Sequence, residues 1–108
     1  MEFPHMPQST LSDRRFKRDI DAIDKALDRI LRLHPVLYRY VFDDDARTPR
    51  PGLIAQEMVT ALPEVVDVMN DDDKTYSVRY TDIIPYLIRA IQELNKKVEF
   101  SRCKCTKE

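Results

Sequence analysis

A chain of 108 residues has room for one domain with a modest core and not for two. Its 18 basic and 19 acidic side chains leave a net charge of −1, which excludes the one-signed field that draws nucleic acid or anionic membrane. No apolar run approaches the ~20 residues needed to cross a bilayer, and the N-terminus lacks the basic region and apolar stretch of a signal peptide.

In chain order, Met1 to Leu11 carries two prolines, a histidine and Gln8-Ser9-Thr10 without periodicity, and reads as an extended lead-in (1–11) to the domain or the end of an upstream protein. Ser12-Asp13-Arg14-Arg15-Phe16-Lys17 follows. A serine hydroxyl is a weak nucleophile until a base takes its proton, and a lysine serves as that base only when burial or neighbouring cations populate its neutral amine. Arg14, Arg15 and Arg18 supply cations, and Phe16 offers cover from water. Positions five apart lie roughly 140° apart around a helix, so a Ser12–Lys17 contact needs Ser12 in an extended or turn segment folded back on a helix start. The plainer reading has Ser12 or Asp13 capping a short basic helix, with Lys17 solvated.

From Asp19 the pattern predicts a helix whose apolar face is Ile20, Ile23, Leu27, Ile30 and Leu31, capped by Asp21 or Asp24 and ended by His34-Pro35. Val36 to Phe42, β-branched and aromatic, predicts a strand, and the polar stretch 43–51 a loop. Gly52 to Ala55 reads as a short buried strand, and Gln56 to Leu62 as a brief helix stopped by Pro63. Val65–Met69 and Thr75–Tyr80 read as the strands of a hairpin. The aspartate runs 43–45 and 71–73 lack the alternating ligands, central glycine and distal glutamate of a calcium loop, and read as turns. Gly52, the lone glycine, implies few turns with positive φ.

Last comes an amphipathic helix with Thr81 as its cap and Pro85 in its first turn. Ile84, Leu87, Ile91, Leu94 and Val98 follow the 3-4-3-4 spacing of a coiled-coil seam. One helix packed on its own domain gives a similar pattern; as a coiled coil, isoleucine at a and leucine at d lean to a dimer. Cys103 and Cys105, one residue apart, make neither a disulfide framework nor a metal site and read as thiols in a disordered tail (101–108). The fold class is α+β: an N-terminal helix, short antiparallel strands and a long C-terminal helix.

The order of these pieces resembles the C-terminal intramolecular-chaperone, auto-processing domain of phage tail spikes and tail fibres, which is similar to the self-cleaving segment of the myelin regulatory factor family. The matching stretches are Ser12 to Lys17, Ala26-Leu27-Asp28 with Leu33 leading into Val36-Leu37-Tyr38, Gly52 to Glu57, Leu62 to Val66, Ser77-Val78-Arg79-Tyr80, and Ile84 to Leu94. The resemblance places the domain at 12–100. It implies a homotrimer, with Ile84–Val98 helices bundled or coiled at the interface, that assists assembly of the upstream fibre or spike polypeptide in cis. It also implies self-cleavage at Leu11–Ser12, with Ser12 as nucleophile and Lys17 as base.

Asp13, Gln56 and Glu57 are candidates to support the site; Gln56 and Glu57 serve equally well as braces of the fold. The setting implied is a virion tail, assembled in the host cytoplasm. Rival readings are a trimerisation module that does not cut, a self-cleaving domain of a membrane-tethered transcription factor, and an ordinary interaction domain. No metal or other cofactor, nucleic-acid, membrane or small-molecule partner is implied. The G-x-S-x-G elbow of conventional serine hydrolases is absent, and His5 and His34 lack a catalytic arrangement.

Overall fold

The computed structural model describes residues 9–43 and 48–106, the side chains of the last three, 104–106, excepted. Met1–Gln8 of the expected lead-in, Asp44 and Asp45, the Cys105 side chain and the last two residues of the expected tail lie outside them. The chain is α+β, as its pattern implies. After a single 3-10 turn, Arg14–Phe16, come α1 (Ala26–Ile30), β1 (Val36–Tyr38), β2 (Arg50–Gly52), α2 (Ala55–Ala61), β3 (Val66–Val68), β4 (Tyr76–Val78) and α3 (Ile84–Thr106). The strands form two separate antiparallel pairs, β1 with β2 and β3 with β4.

The first helix is shorter than its apolar periodicity predicts. Asp19 and Lys25 both take left-handed conformations, with φ of 54°, so residues 20–24 between them are not helical. Neither Asp21 nor Asp24 caps α1. The cap arrives from the far end of the chain: the Glu93 carboxylate accepts from the backbone N–H groups of Leu27 at 2.8 Å and Ala26 at 3.3 Å. Those two N–H groups hold the Glu93 carboxyl below its usual range, Leu27 first. Ile23 is nonetheless used, because Arg89 of α3 donates to its carbonyl at 2.9 Å.

The expected 36–42 strand stops at Tyr38. Beyond it the rings of Tyr38 and Tyr40 meet edge to face at 5.1 Å, and those of Tyr40 and Phe42 stack at 4.9 Å, so aromatic contacts replace a ladder. The expected 52–55 strand is displaced toward the N-terminus, since β2 covers Arg50–Gly52 and α2 already begins at Ala55. Gly52 has no positive φ; it is there for space. A Cβ on it would lie 2.7 Å from Tyr38 Cε1 and 2.9 Å from the Tyr80 hydroxyl. The β3–β4 hairpin forms as expected, in register Val66↔Val78 through Val68↔Tyr76. Asp71 closes its turn by accepting from the Thr75 N–H and hydroxyl.

Thr81 does not cap α3. It sits inside a 3-10 turn, Tyr80–Ile83, that runs directly into the helix, with Arg79 at its start. The helix continues through Thr106, into the stretch read as tail. Its inner face continues from Ile83 of that turn through Tyr86, Ala90 and Glu93. Ile83 joins Met58, Leu62 and Val65 in the main core, and Ala90 closes on Ala26 and Leu27 of α1. Ile30 packs against both clusters and makes them continuous. Arg29 ties the layers at their rim, donating to Ala61 O at 2.9 Å and to both oxygens of Glu64 at 2.6 Å, while the Tyr86 hydroxyl donates to Glu64 at 2.5 Å. None of the helices in the described residues is long and apolar enough to cross a membrane.

Candidate functional site

Ser12 and Lys17 meet. The Lys17 Nζ donates to Ser12 Oγ at 2.6 Å. The local chain explains how. Asp13 accepts the Arg15 N–H at 2.9 Å and its guanidinium at 3.0 Å, capping one 3-10 turn. Backbone bonds from Phe16 to Asp13 and from Lys17 to Arg14, both 3.1 Å, close that turn and bring Lys17 back beside Ser12. Lys17 then leaves the turn in extended conformation. Both sequence readings of the stretch are therefore partly met: Asp13 is a cap, and the capped turn is what juxtaposes the hydroxyl and the amine.

The Arg15 guanidinium, followed by its backbone N–H, keeps the Asp13 carboxyl below the ordinary aspartate range, so Asp13 stays an anion beside the pair. Arg15 also lies over the Phe16 ring at 5.5 Å. Leu11, Ser12, Phe16 and Lys17 are all exposed, Leu11 at 71% and Phe16 at 68%. Phe16 shields nothing within a single chain.

Gln56 and Glu57 sit elsewhere, in the first turn of α2. Glu57 is exposed, with one carboxylate oxygen 3.7 Å from His34 Nδ1. Gln56 lines a cleft of about 510 Å³ between the two hairpins, with Tyr38, Tyr40, Tyr76 and Tyr80 on its walls and Leu53, Ile54 and Val78 also lining it. Neither Ser12 nor Lys17 lines that cleft. Ile84, Leu87, Ile91, Leu94 and Val98 share the face of α3 turned away from its own core, between 42% and 66% exposed. Leu87 also borders an apolar groove of about 500 Å³ with Ile30, Leu31, Leu33 and Leu53.

Compared with known families, the chain matches the model of the peptidase S74 family, described as chaperone of endosialidase, over residues 12–67, just over half its length. The chain belongs to the chaperone-of-endosialidase family. The family match opens on Ser12 and takes in Lys17, Gln56 and Glu57; the Ser77–Tyr80 and Ile84–Leu94 stretches of the resemblance lie beyond it. Among curated proteins, none matches.

Sequence reasoning missed three features of the fold and its surface. They are the Glu93 cap on α1, the Arg29–Glu64–Tyr86 network and the tyrosine-walled cleft. The first two join residues from 22 to 67 positions apart, and no local pattern announces such pairs. A signal for the cleft did exist, in the tyrosines at 38, 40, 76 and 80, but they read separately as strand residues.

Proposed function

We propose that this chaperone-of-endosialidase domain assembles as a homotrimer at the end of a viral spike or fibre polypeptide and then cuts itself free at Leu11–Ser12. The observation that carries the reading is the 2.6 Å contact between Lys17 Nζ and Ser12 Oγ. As an ammonium, Lys17 donates to the hydroxyl. As a neutral amine in the same position it accepts the hydroxyl proton, and Oγ bonds to the Leu11 carbonyl carbon. The C–N bond breaks, the proton passes from Lys17 to the departing Ser12 nitrogen, and an ester joins Leu11 to Ser12. Water then hydrolyses the ester, giving a Leu11 carboxylate, a free Ser12 hydroxyl and Ser12 as a new N-terminus.

A lysine serves as a base only as the neutral amine, a form that desolvation favours, and Lys17 is exposed in the single chain. The reading therefore assigns the missing cover to neighbouring chains. Two quantities support that assignment. The radius of gyration is 18.9 Å, against about 13 Å for a compact domain of this length. The accessible surface is 10135 Å², against about 6,300 Å² expected for a compact monomer of this mass. Both values describe a chain that leaves much of its surface uncovered within one copy. The outer face of α3, with its open a/d seam, offers a register between chains; its isoleucine and leucine spacing leans to two, and the family resemblance supplies the number three, with the upstream polypeptide as the partner in cis.

Intact-mass spectrometry of freshly expressed protein beside Ser12→Ala tests the reading. The expected result is a species beginning at Ser12 in the wild type only, with Lys17→Ala also uncut. Full-length mass for all three proteins would overturn self-cleavage and leave a trimerisation module.

A further inference from the structure

The hydrogen bonds of the β3–β4 hairpin settle which groups face out. Arg79 N–H donates to Val65 O at 2.8 Å and Met69 N–H to Thr75 O at 2.7 Å, so the bonded pairs are 65 with 79 and 69 with 75. By the alternation of an antiparallel ladder, 67 with 77 is the third bonded pair. Tyr76 and Val78 therefore turn their N–H and C=O groups away from β3, and no described residue pairs with them. That free edge opens on the tyrosine-walled cleft, whose opposite wall is Tyr38–Tyr40 at the end of β1. An unpaired edge beside a cavity of about 510 Å³ is built to take an added strand.

We propose that the cleft receives, as an added strand, the Ser9–Ser12 segment of a second copy of this chain, with the Leu11–Ser12 bond lying across it. Four observations select that occupant. Residues 9–12 have no helix or turn, and Asp13, which ends the segment, is extended at φ −70° and ψ 129°. Every residue of the segment is exposed in its own chain. Thr10-Leu11 suits a strand, and the alternation of a strand sends Leu11 toward the apolar lining of Leu53, Ile54 and Val78 while Ser12 faces the other way, toward its Lys17. Finally, Gln56 lies in this cleft and not at its own chain's Ser12–Lys17 pair, so it reaches a scissile bond only when another copy supplies one. Pairing along the edge fixes the Leu11 carbonyl and makes each active site from two chains.

This inference rests on the Ser12–Lys17 reading but is tested apart from it. In uncut Ser12→Ala protein, hydrogen exchange at the Tyr76 and Val78 amides is expected to be slowed at least tenfold in the oligomer, and to return to the rate of an open edge in Ser12→Ala with Leu11→Asp. Fast exchange in the Ser12→Ala oligomer overturns the proposal whether or not the wild type cuts. So does protection that survives Leu11→Asp, because another occupant then fills the edge.

The second measurement uses Val78→Pro, which deletes an outward N–H at a strand edge and also replaces a side chain packed on the main core, so its folding is checked first by circular dichroism and melting beside wild type. Alone it is expected to cut at least tenfold more slowly than wild type. Co-expressed with Ser12→Ala, whose cleft is intact, the Val78→Pro chains should be cut again, since a neighbour supplies the docking edge. Wild-type cutting by Val78→Pro alone, or no rescue in the mixture, overturns docking between copies and leaves the Ser12–Lys17 reading standing. A failure of Ser12→Ala to stop wild-type cutting would instead overturn that reading.

Discussion

The two faces of α3 make opposite use of the same kind of residue. On the inner face Ile83 and Ala90 are buried at 5% and 4% exposure, and Tyr86 and Glu93 reach across to bond Glu64 and the start of α1. One step around the helix, Ile84, Leu87, Ile91 and Leu94 are equally apolar and stand open. The 12–17 stretch shows the same openness: its turn is fully hydrogen-bonded, yet none of its side chains is buried. One copy thus buries a core against one face of α3 and leaves the other seam and the Ser12–Lys17 pair exposed. On the proposed function, that contrast separates what one chain builds alone from what a second surface must complete.

The largest effect should come from charging the open seam. Leu87→Asp with Ile91→Asp places two carboxylates where 42% and 66% exposed side chains now stand, so the single chain loses little core. The expected outcome is a folded monomer in sedimentation analysis, with cutting at Leu11–Ser12 abolished. Monomers that still cut at the wild-type rate would erase the proposed link between the two regions.

The mirror-image change breaks the inner face. Met58 is 1% exposed at the centre of the main core, and Met58→Ala should cost about 2–5 kcal/mol of stability through lost burial and the cavity left behind. Chemical denaturation of the uncut Ser12→Ala protein reads this directly. A loss below about 1 kcal/mol would mean that the core relaxes around the gap, and that the inner face holds less of the fold than its burial implies.

How much of this was legible in the sequence follows from how local each feature is. The outer seam of α3 was readable because its spacing is periodic over several turns, and the Ser12–Lys17 contact because one capped turn within six residues makes it. The segment from Ile20 to Asp24 misled because its apolar spacing is helical, while the backbone at Asp19 and Lys25 turns left-handed and the cap for α1 comes from Glu93. Gly52 was read through φ, but its role is the approach of Tyr38 and Tyr80, which only the assembled hairpins reveal. Gln56 stood out in the sequence as a candidate to support the site or to brace the fold, and it lies exposed in the wall of a cleft. Its cleft is made by segments from β1 to the start of the last helix, and no single window of sequence contains it.

The smallest and sharpest test asks whether the inner face carries a charge dependence that the open face lacks. Hydrogen bonding to the Arg29 guanidinium, helped by the Tyr86 hydroxyl, lowers the Glu64 carboxyl from 4.5 to about 2. Since the folded value lies below the unfolded one, the stabilisation is complete above about pH 4.5 and is lost as the pH falls toward about 2. The Glu64 side chain is 47% exposed, so solvent screening keeps the effect to about 1 kcal/mol, a few degrees in melting temperature. Melting curves of Ser12→Ala with and without Glu64→Gln should accordingly stand apart at neutral pH and converge across that acid window. Curves that stay parallel throughout it would show that the Arg29–Glu64 contact contributes shape without charge, and the two faces of α3 would then differ in packing alone.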